Sequence, residues 1–418
     1  MLPIRELIKS AVIEVDNLGG DPTDALRGLL VTRDEVEGHL RQLGISEPKP
    51  KGRRPIALDI PPNSPLARLT TAFDLPPLDV AILLIALAPD LDRSYERVYA
   101  YLQDDVSLRY PTLNLVANLL SAYGEPRFVV WERLSPDAPL RKNHLILLTN
   151  DSSRPNSTRL AQPLKVDQRI VGYLLGSSAV DERLAGSVKL VTEAMESPLP
   201  EAQLKTTYQA LSNSPIVYLH GRNDTGQLET TAALCAAHNL PLITLDLDRV
   251  YKADAPGDVL AQLAIREGHL AHAALLLRHW DSCLDDQRQP PTALWDLIVN
   301  YPLPVFIWGQ REWEPADLER QRRMLRLEFT IPSYEYRRDV WTRKARMIDA
   351  ELNDAEIETL ANKFRFTHSQ ITRSVQTAAD LAATRGEHAT RADFYSAAQT
   401  HASIQLGHLA SRITARMG

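Results

Sequence analysis

Five apolar runs of strand length alternate with longer helical segments after residue 214, and this alternation constrains the fold more than any other feature. The runs are SPIVYLH, PLITLDLD, AALLLRH, LPVFIWG and LRLEFTIP. The intervening segments, in which apolar residues recur at helical spacing, are QLETTAALCAAHN, DVLAQLAIREGHLAH, ALWDLIVN and ADLERQRRML. Such alternation builds a parallel sheet covered by helices on both faces. We therefore predict a five-stranded α/β subdomain over residues 201–333.

The remainder of the chain, residues 334–418, shows helical periodicity and no strand pattern. Four helical segments follow one another there: RRDVWTRKARMIDA, DAEIETLANKF, SQITRSVQTAADLAATRG and ADFYSAAQTHASIQLGHLASRITAR. The sequence thus predicts a C-terminal helical lid that follows the sheet.

The first 200 residues divide at a proline-rich basic stretch, KPKGRRP, whose composition is typical of a linker. Two short helices are predicted before it, within a helical segment over residues 1–50. After it, three helices are predicted between LARLTTAF and LLSAYG, followed by two short strands, FVVWERL and HLILLTN. Helices followed by a small hairpin indicate a winged-helix-like domain, which we place at residues 51–200.

Composition excludes several classes of protein. A chain of 418 residues is too long for one ordinary hydrophobic core, since such cores stop growing near about 250–300 residues. Apolar runs fall short of the roughly 18 residues of a membrane helix, and two cysteines cannot form a disulfide scaffold. The N-terminus shows no secretory signal, so we expect the protein in the cytoplasm.

The charge of the chain gives no reason to expect nucleic acid as a partner. The formal net charge is −6, and residues 51–200 contain 17 basic and 17 acidic residues. A winged helix that binds DNA normally carries an excess of positive charge, which releases counterions from the phosphates. DNA binding is therefore the least favoured of the functions considered below.

The loop directly after the first apolar run has two glycines five positions apart and precedes a helix. This frame matches the P-loop, G-x-x-x-x-G-K-[ST], whose backbone N–H groups surround phosphates at a helix N-terminus. Gln227 stands where the P-loop has lysine, and Leu228 stands where it has serine or threonine. The candidate binding residues of the loop are Gly221, Arg222, Asn223, Asp224, Thr225, Gly226, Gln227 and Leu228.

These departures remove the chemistry of a working P-loop. Gln227 carries no positive charge for the terminal phosphates, and Leu228 cannot bind Mg²⁺. The third apolar run ends at Arg278, where an acid would hold the metal, and Asp281 is the nearest carboxylate along the chain. We therefore predict no catalytic residue and no metal site, with weak binding of ATP or ADP as the most that the loop supports.

One segment, LAPDLDRSYERVYAYLQDD, is more specific than helix formation alone requires. It is accompanied by LKVDQRIVGYLLG, FTIPSYEYRRDVW and QTHASIQLGHLASRI. With the altered P-loop, these strings resemble the N-terminal half of the large AAA ATPases associated with phage-tail-like contractile injection systems, over about residues 10–415. The resemblance implies a winged-helix domain, a first AAA module that is often degenerate, and a second AAA module that hydrolyses ATP.

The resemblance assigns further positions by their place in the chain. Asp281 loosely matches the second acid of the metal site, and Arg373 matches the second sensor in the lid. Gln310 follows the fourth apolar run, where a first sensor is expected. Arginines that reach a neighbouring subunit in such modules, or that form a solvated helix face, are Arg322, Arg323 and Arg326.

The resemblance also implies a homo-oligomeric ring, a hexamer, that is a component of the contractile injection apparatus. The sequence ends at Gly418, where the second module of the family would begin. If the resemblance holds, the catalytic second module has been removed, is encoded separately or is not needed by this chain. The sequence does not decide among these three alternatives.

Three functions follow from these observations. The first is a non-catalytic regulatory and assembly half, which acts by protein–protein interaction and ring stacking. The second is an ATP-hydrolysing AAA ATPase in which Arg222, Arg278 or a lid arginine replaces the lysine charge. The third is a winged-helix protein that binds DNA.

Overall fold

A computed structural model of the chain describes residues 5, 8–9, 11–12, 58–121, 124–149, 158–193, 195–253, 256–315, 322–350 and 352–414. The chain divides into two compact units, Met1–Arg183 and Leu184–Gly418. The two helices predicted within residues 1–50 and the linker KPKGRRP lie almost entirely outside the described residues, and the few described positions near the N-terminus are helical.

In its described residues, the first unit contains helices and one two-stranded sheet. The elements that the structure describes in it are α1 (Pro65–Ala72), α2 (Pro77–Leu91), α3 (Ser94–Leu102), α4 (Leu113–Ser121), α5 (Arg127–Glu132), α6 (Pro139–Lys142), β1 (Ile146–Leu148), β2 (Leu164–Val166) and α7 (Gln168–Leu174). Strands β1 and β2 pair antiparallel, so a small hairpin does follow a run of helices.

The prediction of a strand at FVVWERL is wrong, because this segment forms the helix α5. Pro126 caps the start of the helix, and Val130 is the helix residue that is fully buried, whereas the buried Leu134 follows the end of the helix. Phe128 is 66% exposed, which an apolar strand of a core would not allow. The partner of the predicted strand HLILLTN is therefore β2, from the later segment QPLKVDQ.

Helix α2 forms the centre of the first unit, with eleven consecutive residues buried from Asp79 to Pro89. Pro89 has no N–H, so the carbonyl of Ile85 one turn earlier lacks its helical donor. The buried hydroxyl of Tyr99 on α3 donates to that carbonyl at 2.9 Å instead. Burial raises the pKa of Tyr99 well above its usual value, which keeps the hydroxyl protonated as a donor.

The second unit contains the α/β subdomain and the helical lid. Its elements are β3 (Val188–Val191), α8 (Glu201–Leu211), β4 (Ile216–Gly221), α9 (Gln227–Ala237), β5 (Leu242–Asp246), α10 (Leu247–Tyr251), α11 (Gly257–Ala271), β6 (Ala274–Arg278), α12 (Thr292–Asn300), β7 (Val305–Gly309), β8 (Met324–Phe329), α13 (Tyr334–Met347), α14 (Asp354–Lys363), α15 (His368–Ala383) and α16 (Arg391–Thr414).

The five predicted strands form the parallel part of one sheet, in the order β5-β6-β7-β4-β8. A sixth strand, β3, pairs antiparallel with β5 at the edge, and the sequence did not predict it. Helix α9 begins directly after the loop that follows β4, so the candidate site lies at the carboxyl end of a central strand. Most of the helix predicted at ADLERQRRML lies outside the described residues.

The four helices predicted after the sheet are confirmed as α13 to α16, which we call the lid. Trp341, Phe394 and neighbouring apolar residues form a separate buried core within it. Ser333, Asn353 and Thr367 accept backbone hydrogen bonds at the starts of α13, α14 and α15, so side-chain caps define where these helices begin. Within the described residues, no helix is both long and apolar enough to span a bilayer.

Candidate functional site

The candidate site begins at Gly221, the last residue of β4. Its φ is +137°, and a Cβ at this position would lie 2.1 Å from the carbonyl oxygen of Phe329 on the neighbouring strand β8. Both facts require glycine, because other residues rarely adopt this φ and a methyl group has no space. The first P-loop glycine is thus needed by the sheet itself.

Gly226 ends the loop and begins α9, with a φ of +115°. A Cβ here would lie 2.0 Å from Cγ of Pro198, which comes from the segment before α8. In the same segment, the hydroxyl of Ser197 lies 2.9 Å from that of Thr230 on α9. We call residues 195–199 the strap, since this segment covers the end of the loop at Gly226.

The side chain of Gln227 lies inside the loop and is fully buried. Its Oε1 accepts the backbone N–H of Thr225 at 3.0 Å, and its Nε2 donates to the carbonyl of Arg222 at 2.8 Å. The Thr225 hydroxyl donates to the same carbonyl at 2.8 Å. The residue at the P-loop lysine position therefore binds the backbone of its own loop, and one N–H of the loop is already used.

The other loop residues divide by exposure. Leu228 is partly buried and packs against the apolar core beneath the sheet. Arg222 and Asp224 are exposed, and Asn223 lies between these extremes. Asp224 has a φ of +61°, a left-handed conformation that aspartate adopts more readily than most residues. The loop thus presents one exposed acid and one exposed base two positions apart in sequence.

The lid approaches this loop through α15. Arg373 Nη2 lies 3.9 Å from Oδ2 of Asp224, and both side chains are more than half exposed. One turn earlier on α15, the Ser369 hydroxyl donates to Glu229 Oε1 on α9 at 2.5 Å. The structure therefore brings Arg373 to the loop, where it faces a carboxylate of the protein.

The position of the expected metal-binding acid, at the end of β6, is occupied by Arg278. Its guanidinium lies over the ring of Trp308 on β7, 5.0 Å from the ring centroid. The next residue, His279, has a φ of +58°, and its Nδ1 lies 2.9 Å from Oδ1 of Asp246 at the end of β5. Burial alone would raise the pKa of Asp246, but the hydrogen bond with His279 and the nearby positive charges lower it.

Asp281 lies in a short turn after β6. Its Oδ2 accepts the backbone N–H of Gln310 at 2.6 Å, and a Cβ on Gly309 would lie 3.3 Å from the same oxygen. Asp281 therefore holds the turn that follows β7. The backbone of Gln310, the expected first sensor, contributes to this contact.

The arginines before β8 have different surroundings. Arg322 donates to four backbone carbonyls, those of Ser214, Ile298, Tyr301 and Leu303. Arg326 forms an ion pair with Glu314, and Arg323 is exposed. The prediction that these arginines reach a neighbouring subunit is disfavoured for Arg322, whose donors bind its own chain.

Sequence reasoning missed two contacts of this region. The pair Asp246 and His279 could have been found, since each ends one of two consecutive parallel strands, whose ends meet at one edge of the sheet. Glu229 and Ser369 are 140 positions apart, and no pattern in the sequence links them. No group of His, Cys, Asp and Glu that could hold a metal occurs among the described residues.

Comparison with known proteins finds one family model and similar solved structures. A family model for a winged helix domain, variant, matches residues 53–188. Two crystal structures of the FIGL-1 AAA domain, one of them in complex with ADP, are similar to 53% of this chain, with 14% identity and TM-scores of 0.42 and 0.43. The similarity covers 90% and 91% of those chains. A search of curated proteins finds no match.

The expected fold class is confirmed. Residues 53–188 match a winged-helix domain, and the second unit is an α/β module in which a parallel sheet is followed by a helical lid.

Proposed function

We propose that the second unit is an AAA-type module that does not hydrolyse ATP and that acts by protein–protein interaction and ring stacking. The observation that carries this proposal is the buried side chain of Gln227, which binds the backbone of its own loop at Arg222 and Thr225. In a working P-loop the lysine reaches the phosphates instead. At the position where a working P-loop has its catalytic lysine, Gln227 thus stabilises the structure of the loop.

The electrostatics of the neighbouring strand end support the same proposal. Arg278 replaces a carboxylate, and its positive charge on Trp308 would repel Mg²⁺. The carboxylate of Asp281 is engaged by the backbone of Gln310, and Leu228 has no oxygen to offer a metal. These residues do not fit a Mg²⁺–ATP complex, so we derive no catalytic step from them.

The loop backbone retains its glycine geometry, and for this reason we propose that any ATP or ADP binds weakly and without Mg²⁺. Titration of a fluorescent ATP analogue, with and without Mg²⁺, measures the binding affinity and its dependence on the metal. Equal weak binding in both conditions is the expected result, and Mg²⁺-dependent tight binding would contradict it.

The resemblance to the ATPases of contractile injection systems supports a place in such an apparatus. In our proposal the winged-helix domain docks a protein component of the apparatus in the cytoplasm, and the AAA-type module joins a homo-oligomeric ring, a hexamer, that supports an active module. The even balance of 17 basic and 17 acidic residues over 51–200 favours a protein partner over DNA.

A turnover assay tests the central claim. We expect the purified chain to release no phosphate from ATP above a buffer control. As a matched pair, the variant Gln227→Lys with Leu228→Thr restores the P-loop residues, and we expect it to bind the ATP analogue more tightly without gaining turnover, because Arg278 remains. Mg²⁺-dependent turnover by the natural chain that is lost in Gly226→Val would overturn the proposal.

Assembly is tested separately by sedimentation. We expect the chain alone, at rising concentration, to form a ring-sized species whose abundance does not change with ATP or ADP. A monomer at all concentrations, both with and without the other proteins of the apparatus, would contradict the proposed ring stacking.

A further inference from the structure

The lid meets the α/β subdomain through side chains of the protein itself. Glu229, in the first turn of α9, accepts the Ser369 hydroxyl at 2.5 Å. Ser369 belongs to the first turn of α15, a helix of 16 residues. Glu229 therefore places a negative charge at the N-terminal end of a lid helix, where the helix dipole favours it.

The charge of Glu229 also affects two further groups of the lid. The hydroxyl oxygen of Tyr336 on α13 lies 3.0 Å from Nδ1 of His368. Burial raises the pKa of Tyr336, and the negative charge of Glu229 adds to this effect. Burial lowers the pKa of His368, and Glu229 opposes that shift. The charge of Glu229 on α9 thus acts on groups of both α13 and α15.

A second contact joins the lid to the strap. Arg343 on α13 forms an ion pair with Glu196 of the strap, and it also pairs with Asp339 one turn earlier on its own helix. The strap in turn packs Pro198 against Gly226 and contacts Thr230 through Ser197. The lid is therefore tied to both sides of the loop, to α9 by Glu229 and to the strap by Arg343.

The third contact, between Arg373 and Asp224, is the weakest of the three. Its atoms are 3.9 Å apart and both side chains are more than half exposed, so solvent screens the charges. It nevertheless shows that the lid arginine faces a carboxylate of the loop.

We propose that these contacts form a latch, anchored by Glu229, which holds the lid closed on the α/β subdomain without any nucleotide. The inference deepens the proposed function, on which it rests: a module that does not hydrolyse ATP keeps one lid position because its own side chains make the contacts. The latch has three parts: Ser369–Glu229, Arg343–Glu196 and Arg373–Asp224.

A distance measurement between the lid and the subdomain tests the latch. Met347 on α13 and Val259 on α11 are 76% and 37% exposed, so Met347→Cys and Val259→Cys provide two label sites. The natural cysteines, Cys235 and Cys283, are buried, and burial raises the pKa of both thiols to about 12, which slows their labelling. Spin–spin distances are then recorded on the full chain without nucleotide.

We expect one narrow distance population in the labelled parent, unchanged by ADP or by ATP with Mg²⁺. Glu229→Ala is expected to add a second, longer population. The matched control is Glu201→Ala, which removes an exposed carboxylate from α8 and is expected to leave the distances as in the parent. Should Glu229→Ala fail to fold by circular dichroism, the double variant Ser369→Ala with Arg343→Ala tests the same contacts from the lid side.

Two results would overturn the latch. One is a broad distribution in the nucleotide-free parent that narrows with ADP. The other is an unchanged distribution in folded samples of both Glu229→Ala and the double variant. Phosphate release is measured on the same samples. Turnover together with a narrow distance distribution would contradict the proposed function but not the latch. A broad distance distribution without turnover would contradict the latch but not the proposed function.

Discussion

The loop after β4 and the strand end after β6 both depart from the pattern of a working nucleotide site, but the two departures are stabilised differently. In the loop, Gln227 is fully buried and fits by two directed hydrogen bonds. At the strand end, Arg278 lies on the face of Trp308, a contact that tolerates changes of angle and distance. The comparison teaches that Gln227 is held by directed hydrogen bonds, whereas Arg278 is held by an aromatic contact.

The strongest test of this contrast is Gly221→Ala. The added methyl would clash with the Phe329 carbonyl, and alanine at this φ is strained, so we expect a loss of about 3 kcal/mol in the free energy of unfolding. Urea unfolding measures it. The control is Gly386→Ala, since Gly386 also has a positive φ, of +69°, but no atom of the described residues lies within 4 Å of the new methyl. Equal losses in both variants would show that the clash does not matter.

Gln227→Leu is expected to have the next largest effect. Leucine leaves the Thr225 N–H buried without its acceptor, which costs about 2 kcal/mol of unfolding free energy. Hydrogen exchange should show faster exchange at the Thr225 amide than in the parent. Gln203→Leu, on an exposed position of α8, serves as the control. An unchanged Thr225 exchange rate would mean that Gln227 does not order the loop.

Asp246→Asn probes the charged pair at the strand end. The substitution removes the negative charge beside His279 but keeps a good helix cap, so we expect a loss of about 1 kcal/mol at neutral pH. The pKa of Asp246 is lowered in the folded protein, so its contribution is present above about 3.9, the unfolded value, and is lost as pH falls through the folded value.

Urea unfolding of parent and variant over a pH series checks this prediction. The difference in free energy should be present at pH 5 and should shrink as the pH falls below about 3.9, the unfolded value. A difference that stays the same down to pH 3 would show that the charge of Asp246 contributes nothing.

Arg278→Met should have the smallest effect. Methionine keeps an apolar contact with Trp308 and loses the cation–π attraction, which is worth about 0.5 kcal/mol at a partly exposed site. It also loses the attraction of the arginine charge to Asp246, which is the smallest of the effects on the pKa of that carboxyl. Thermal unfolding of the two proteins, side by side, measures the change. A loss as large as that of Gln227→Leu would remove the distinction between the two regions.

Much of the second unit could be predicted from sequence, since buried parallel strands leave continuous apolar runs such as those of β4 and β7. The helix α5 could not, because Phe128 and Trp131 favour strands and Val130 is the single buried residue among its 6 residues, too few to show a helical period. The strand β3 was also missed, since its single buried residue, Val191, gives little pattern.

The candidate site divides in the same way. The spacing of Gly221 and Gly226 is visible in the sequence, so the loop could be predicted, whereas the approach of Phe329 to Gly221 could not. The inward turn of Gln227 and the cover provided by Pro198 depend on atoms that meet only after folding. Sequence patterns therefore located the loop, whereas its internal hydrogen bonds required the structure.

The hydrogen bond from Tyr99 to the carbonyl of Ile85 implies that two distant positions depend on each other over evolutionary time. Tyrosine is needed at 99 only while proline occupies 89, because any other residue there would supply the missing N–H. Among relatives of this chain, loss of the proline should therefore free position 99 to become phenylalanine. Relatives that keep the proline should keep a hydroxyl within reach of that carbonyl.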